Sequence, residues 1–171
     1  MNSQRRLLAA LPLCASLAAA LLAPAGHAEA PSPERGRYIA MTSGCNDCHT
    51  AGYMPSAGRV PESDWLKGDT FGWSGAWGTT YAPNLRIFMS RIDEAQWLAY
   101  ARSAETRPPM PWFGLRAMSD DDLRSIYRYV RSLAPLGDPA PAYLPPGVTP
   151  QGPYAEFKAP ERDAGSVARI N

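Results

Sequence analysis

Beyond residue 30 the chain carries two cysteines and one histidine, and all three stand in one pentapeptide, Cys45-Asn46-Asp47-Cys48-His49. No other feature constrains the fold as much. A disulfide within the pair closes only a tiny loop, where cross-linking stabilises least, so the cysteines are poorly suited to a purely structural role. The third cysteine and second histidine, Cys14 and His27, belong to a segment expected to be removed. Arg5 and Arg6 precede a run of Leu and Ala to Leu22, and Ala28-Glu29-Ala30 follows as a small-x-small cleavage site. This is the pattern of an export signal over residues 1–30. The apolar run is interrupted by Pro12 and falls short of the roughly 20 residues that span a bilayer. An uncleaved anchor is the alternative. After cleavage fifteen basic and fifteen acidic side chains remain. That balance does not suggest a nucleic-acid binder.

The exported part divides by composition. Residues 31–44 read as a helix, with Ser32 as N-cap, Pro33 in the first turn, Glu34 on the positive end of the dipole and Gly44 as terminator. Tyr38 and Met41, three apart, are expected on its buried face. Thr50 to Pro83 is dense in Gly, Pro and Trp, keeps no period and reads mostly as loop. A loop this long is unusual in a compact domain unless it wraps a rigid ligand that supplies the missing core. A short helix follows over Asp93–Arg102, with an Asp93/Gln96 capping box and Trp97, Tyr100 and Ala101 at helical spacing. The clearest helix runs from Asp120 to about Leu133, capped by Ser119. Leu123, Ile126, Tyr127, Val130 and Ala134 form its apolar stripe. Residues 135–171 form a tail with eight prolines between 135 and 160, extended and able to lie on the domain surface.

Cys-x-x-Cys-His has a chemical rationale as a haem-attachment site. Two thiols about one helical turn apart add to the two vinyl groups of a haem, and the adjacent imidazole reaches the iron. A thiol–disulfide redox pair normally opens a helix after a strand, and no strand pattern precedes Cys45. A zinc site needs four ligands, and too few Cys and His remain. Haem c, bound through Cys45 and Cys48 with His49 on the metal, is therefore expected. No histidine is left for a second axial position, which directs attention to Met41, Met54, Met89, Met110 and Met118. Met41 leads into the motif and Met54 follows it too closely to cross to the other haem face. Met89 and Met118 sit on or beside helical segments, where packing is the default role. Met110 lies between Pro109 and Pro111, which restrict the backbone on both sides, and is the expected second ligand.

Together, Cys45–His49, the Pro109-Met110-Pro111-Trp112 loop and the amphipathic helix after Met118-Ser119-Asp120 resemble the class I cytochromes c. The likeness is to bacterial periplasmic monohaem members and to cytochrome domains that serve dehydrogenases. Tyr81-Ala82-Pro83-Asn84-Leu85 is similar to a segment of the same group. The resemblance covers about residues 33–134. It implies a mainly α, cytochrome c-like domain over 31–134, with three or more helices and long loops around a covalent haem. The N- and C-terminal helices would cross, with Gly36 and Tyr38 against Tyr127 and Val130. It also implies a proline carbonyl that accepts the axial histidine's N–H. Pro55 and Pro61 are nearer in sequence, but Pro83 carries the matching neighbours Asn84 and Leu85.

The expected function is periplasmic one-electron transfer by a carrier that is not an enzyme. Its partners would be a donor dehydrogenase and an acceptor oxidase or cytochrome, with no nucleic acid and no stable membrane span. A haem subunit of a dehydrogenase or sulfur-oxidising complex is one alternative, and a gas-binding sensor whose Met110 does not coordinate is another. The Trp and Tyr residues of 65–81 would pack on the porphyrin or hydrogen-bond its propionates. Arg107 and Arg116 flank the methionine loop as solvated charges balanced by Asp120–Asp122, or steer an acidic partner.

Overall fold

Ser32 caps the first helix, α1 (Pro33–Thr42), with its hydroxyl accepting from the Arg35 amide at 3.1 Å. The computed structural model describes residues 30–158. The expected export signal, except Ala30, and the tail from residue 159 lie outside the described residues. Gly36, Ile39 and Ala40 are the buried face of α1. Tyr38 and Met41 are 56 % and 42 % exposed, contrary to expectation. The cause is Gly36. A Cβ there would lie 2.0 Å from the Ser125 carbonyl oxygen and 2.7 Å from the Tyr129 Cβ. The backbone of a second helix, α6 (Asp120–Ser132), rests directly on this glycine, so the contact face follows the 36, 39, 40 row.

On α6 the buried set is Leu123, Ser125, Ile126, Tyr129 and Val130. Of the anticipated Gly36/Tyr38–Tyr127/Val130 contact, Gly36 lies against α6 and Val130 is buried in the core cluster that holds Ile39 and Ala40, but Gly36 meets Ser125 and Tyr129, and Tyr38 is exposed. Ser125 is tolerated there because its hydroxyl accepts from the Ser32 amide at 3.2 Å and donates to the Asp121 carbonyl at 2.7 Å. Tyr127 instead reaches the Ile92 carbonyl at 2.9 Å.

Gly44, at φ 74°, turns the chain from α1 into the five-residue α2 (Cys45–His49). The helices α3 (Leu85–Ser90) and α4 (Glu94–Ser103) complete the packing around α6, and α5 (Trp112–Ala117) packs against α4. The capping box of α4 is present with both hydrogen bonds, and its Trp97 indole donates to the Leu123 carbonyl at 2.7 Å. Arg86 on α3 is a buried cation. Its guanidinium donates to the carbonyls of Trp65 at 2.7 Å, Ser63 at 3.0 Å and Glu62 at 3.1 Å.

The region read as loop holds more structure than expected. A 3-10 turn covers Glu62–Asp64, and β1 (Gly72–Gly75) pairs antiparallel with β2 (Gly78–Tyr81) across a two-residue turn. The tail supplies β3 (Tyr154–Glu156), parallel to β1, giving strand order β2-β1-β3. The chain is thus helical with a small three-stranded sheet, where helices and loops alone were expected. No helix among the described residues is long and apolar enough to cross a membrane.

Candidate cofactor site

A single histidine fixed by a distant carbonyl is the centre of the site. His49 ends α2, is 7 % exposed, and places Nδ1 2.8 Å from the Pro83 carbonyl oxygen. A carbonyl only accepts, so Nδ1 carries the proton and the Nε2 lone pair is left for another partner. Burial lowers the pKa of His49, and the Pro83 bond opposes this only in part, so the ring is neutral.

Local geometry explains how a residue 34 positions away reaches the ring. The Thr50 hydroxyl accepts from the Leu66 amide and donates to the buried Asn46 side chain, both at 2.8 Å. The Gly68 amide donates to the His49 carbonyl at 2.8 Å. From the other side, the Leu85 amide donates to Leu66 and the Asp69 amide to Ala82. Residues 66–69 thus lie between the end of α2 and the 82–85 segment, holding Pro83 over His49. Gly68, at φ 80°, is what lets them fit. A Cβ there would meet the Asn84 amide nitrogen at 2.7 Å and the Ala82 carbonyl at 2.8 Å.

Beside this arrangement is a cavity of about 890 Å³, lined among others by Cys45, Cys48, His49, Pro83 and Met110. It lies near the top of the roughly 300–1,000 Å³ range of ligand pockets. The four site residues expected from the sequence therefore border one space. Met89 and Met118 border it too, whereas Met41 and Met54 are exposed and do not. Met89 is fully buried in the core cluster, and Met118 packs against that cluster. Met110 is part-buried on its loop and is followed by a 2.9 Å bond from the Trp112 amide to its carbonyl.

Both cysteines are free thiols. Burial pushes the Cys45 thiol up to about 11, and burial followed by the charges of Asp47 and Asp69 raises Cys48. A redox-active pair needs a lowered thiol pKa, so this setting disfavours a thiol–disulfide exchanger. Among the described residues no group of three or more His, Cys, Asp or Glu could hold a metal ion.

No family model, curated protein or solved structure matches this chain. The functional reading therefore rests on the site itself.

Sequence reasoning did not anticipate several wall residues. Thr106 borders the cavity with its hydroxyl buried and without a hydrogen-bond partner. Pro141 and Tyr143 reach the cavity from the proline-rich tail. No local pattern marks them, because their role depends on where the tail returns. The arginines near Met110 also differ from expectation. Arg116 pairs with Glu105 at 3.2 Å and stacks on Trp112, while Asp120 is held by Arg102. Arg107 lies over the Tyr143 ring, 3.8 Å from its centroid.

Proposed function

We propose that the chain is a class I cytochrome c-like carrier that holds one covalent haem c and transfers single electrons between proteins in the periplasm. The observation that carries this reading is His49. Its proton faces Pro83, its other nitrogen is available, and two thiols of the same short helix border the same large cavity.

The residues present fit the group. Cys45 and Cys48 match addition of two S–H bonds across two vinyl double bonds, a reaction in which each thiol forms a C–S bond and its hydrogen goes to the neighbouring carbon. His49 and Met110 offer a neutral imidazole nitrogen and a thioether sulfur. The buried Thr106 hydroxyl, without a partner in the protein, suits a polar edge of the ligand. When bound, the haem supplies a one-electron ferric/ferrous couple.

The chain's own contribution is orientation and dryness. The Pro83 bond fixes the His49 ring and raises its basicity. Leu85, Phe88, Met89 and Trp97 give the cavity an apolar wall that excludes water and disfavours the more highly charged oxidised state. With His49 and Met110 both holding the iron, no position would remain for a substrate, which would favour electron transfer over catalysis.

The test is expression with export and haem-attachment machinery, followed by mass determination and spectra with and without carbon monoxide. The expected outcome is one covalent haem, a low-spin spectrum in both redox states and no rapid carbon monoxide binding. A protein without covalent haem would overturn the reading. Rapid carbon monoxide binding would favour the gas-binding alternative.

A further inference from the structure

Resting on the haem reading, we propose that the proline-rich tail clamps the methionine loop: Tyr143, pinned to the β1–β2 hairpin, holds Arg107 and thereby sets how readily Met110 leaves the second axial position.

The loop that carries Met110 has little to hold it from within. It runs from the end of α4 to the start of α5, and among the described residues one hydrogen bond reaches the backbone of residues 105–109. That bond comes from outside the loop, from the Thr80 hydroxyl of β2 to the Pro108 carbonyl at 2.8 Å. At the loop's start the Glu105 carboxylate meets Arg116 at 3.2 Å, but with a side chain 73 % exposed such a pair contributes little. At its end the Trp112 amide donates to the Met110 carbonyl at 2.9 Å. The prolines beside Met110 narrow its backbone choices without fixing where the segment lies. Segments with so few hydrogen bonds open locally while the rest of a protein stays folded.

What the loop lacks, the tail supplies. The Arg107 guanidinium lies 3.8 Å from the centroid of the Tyr143 ring, a close cation–aromatic stack. The ring is itself fixed. The Tyr143 hydroxyl donates to the Trp77 carbonyl at 2.8 Å, and Leu144 exchanges two backbone bonds with Thr79 at 2.8 and 3.0 Å. Further along, the Pro153 carbonyl accepts from the Gly72 amide at 3.0 Å, and the Phe157 amide donates to the Ser74 carbonyl at 2.7 Å. The tail is thus tied to both strands of the hairpin. Thr79, which holds Leu144, is the neighbour of Thr80, which holds Pro108. Arg107 and Pro108, three and two residues before Met110, are therefore gripped from one hairpin. Pro141, Tyr143, Arg107 and Met110 all border the cavity, so the grip acts at its wall. Tyr143 is a positioning residue that acts on Met110 through Arg107.

The experiment uses the haem-loaded full-length protein and its Tyr143→Leu, Tyr143→Phe, Arg107→Gln and Tyr143→Leu/Arg107→Gln variants. Two quantities are read: the limiting rate at which saturating imidazole displaces the native ligand of the oxidised protein, and hydrogen exchange of the Trp112 amide. Both are expected to rise about fivefold or more in Tyr143→Leu, the factor that corresponds to one lost cation–aromatic contact. Tyr143→Phe keeps the stack and is expected to rise less. The double variant is expected to match the single ones, because both remove the same contact. Gly36→Ala, which disturbs the α1–α6 packing, is expected to leave both quantities unchanged. A haem-bearing Tyr143→Leu protein with native rate and exchange would overturn the clamp alone. Independent, multiplying effects of the two single variants would also overturn it, as would a Gly36→Ala protein accelerated as much as Tyr143→Leu. A full-length protein without covalent haem would overturn the clamp together with the haem reading.

Discussion

At the scale of single residues, the outcome turns on which nitrogen of His49 is left free, and a glycine outside the site controls it. Gly68→Ala adds a Cβ to a left-handed residue already in contact with the segment carrying Pro83. Backbone strain and overpacking together are expected to cost about 2–3 kcal/mol, read by chemical denaturation. Faster exchange of the His49 Nδ1 proton should accompany it as the Pro83 carbonyl moves away. The bordering methionines separate by a second comparison. On the haem reading proposed above, Met110→Ala is expected to open the iron to carbon monoxide and lower the potential, whereas Met89→Leu, a swap of similar volume, is expected to cost less than about 1.5 kcal/mol and leave the spectrum intact. An Met110→Ala protein with native spectrum and potential would exclude Met110 as ligand. His49, Cys45 and Cys48 stand out in the sequence because their chemistry is local. Thr106 does not, because an ordinary threonine becomes notable only when its hydroxyl is buried without a partner.

Among the elements, α4 and α6 were readable because each carries its own start signal and at least part of an apolar period. The Asp93 and Ser119 caps lie where the sequence puts them. The hairpin was not readable, since three of its eight strand residues are glycines and each strand has only four residues. The register of α1 was missed for a related reason: Gly36 has no hydrophobicity to mark it, yet it receives the α6 backbone. Gly36→Ala is expected to destabilise the protein by about 3 kcal/mol, measurable as a lowered denaturation midpoint. Acid should act through the loop that α1 and α6 share. Burial raises Glu62, but hydrogen bonds from Arg37 at 2.8 Å and Tyr129 at 2.9 Å, together with the charges of Arg37 and Arg86, leave its pKa below the ordinary value. A depressed carboxylate pKa gives stability that is present above the unfolded value of about 4.3 and lost as pH falls through the folded one. Stability curves of native protein and Glu62→Gln are therefore expected to converge as the pH is lowered below about 4.

For the whole molecule, the tail changes from a compositional remainder into a strap. Leu144 bonds to β2, β3 pairs with β1, and Phe157 packs 6.0 Å from Trp73 and 5.6 Å from Trp77 between ring centroids. Proline density points to an extended chain but does not say against what it would lie; among the described residues, Leu144 and Tyr154–Glu156 pair with the hairpin. Gly78, at φ 93°, admits the strap, for a Cβ there would fall 2.3 Å from the Leu144 carbonyl. Gly78→Ala is expected to loosen residues 141–157 and speed limited proteolysis there. Unchanged proteolysis would show that the strap is held elsewhere. The strap also sets a sequence of assembly. Residues 141–157 are made after the α1–α6 portion of the chain, so during synthesis the helices are complete before this wall is available. The stretch of wall that Pro141 and Tyr143 contribute is therefore the last to be laid, by a part of the chain made after every helix among the described residues.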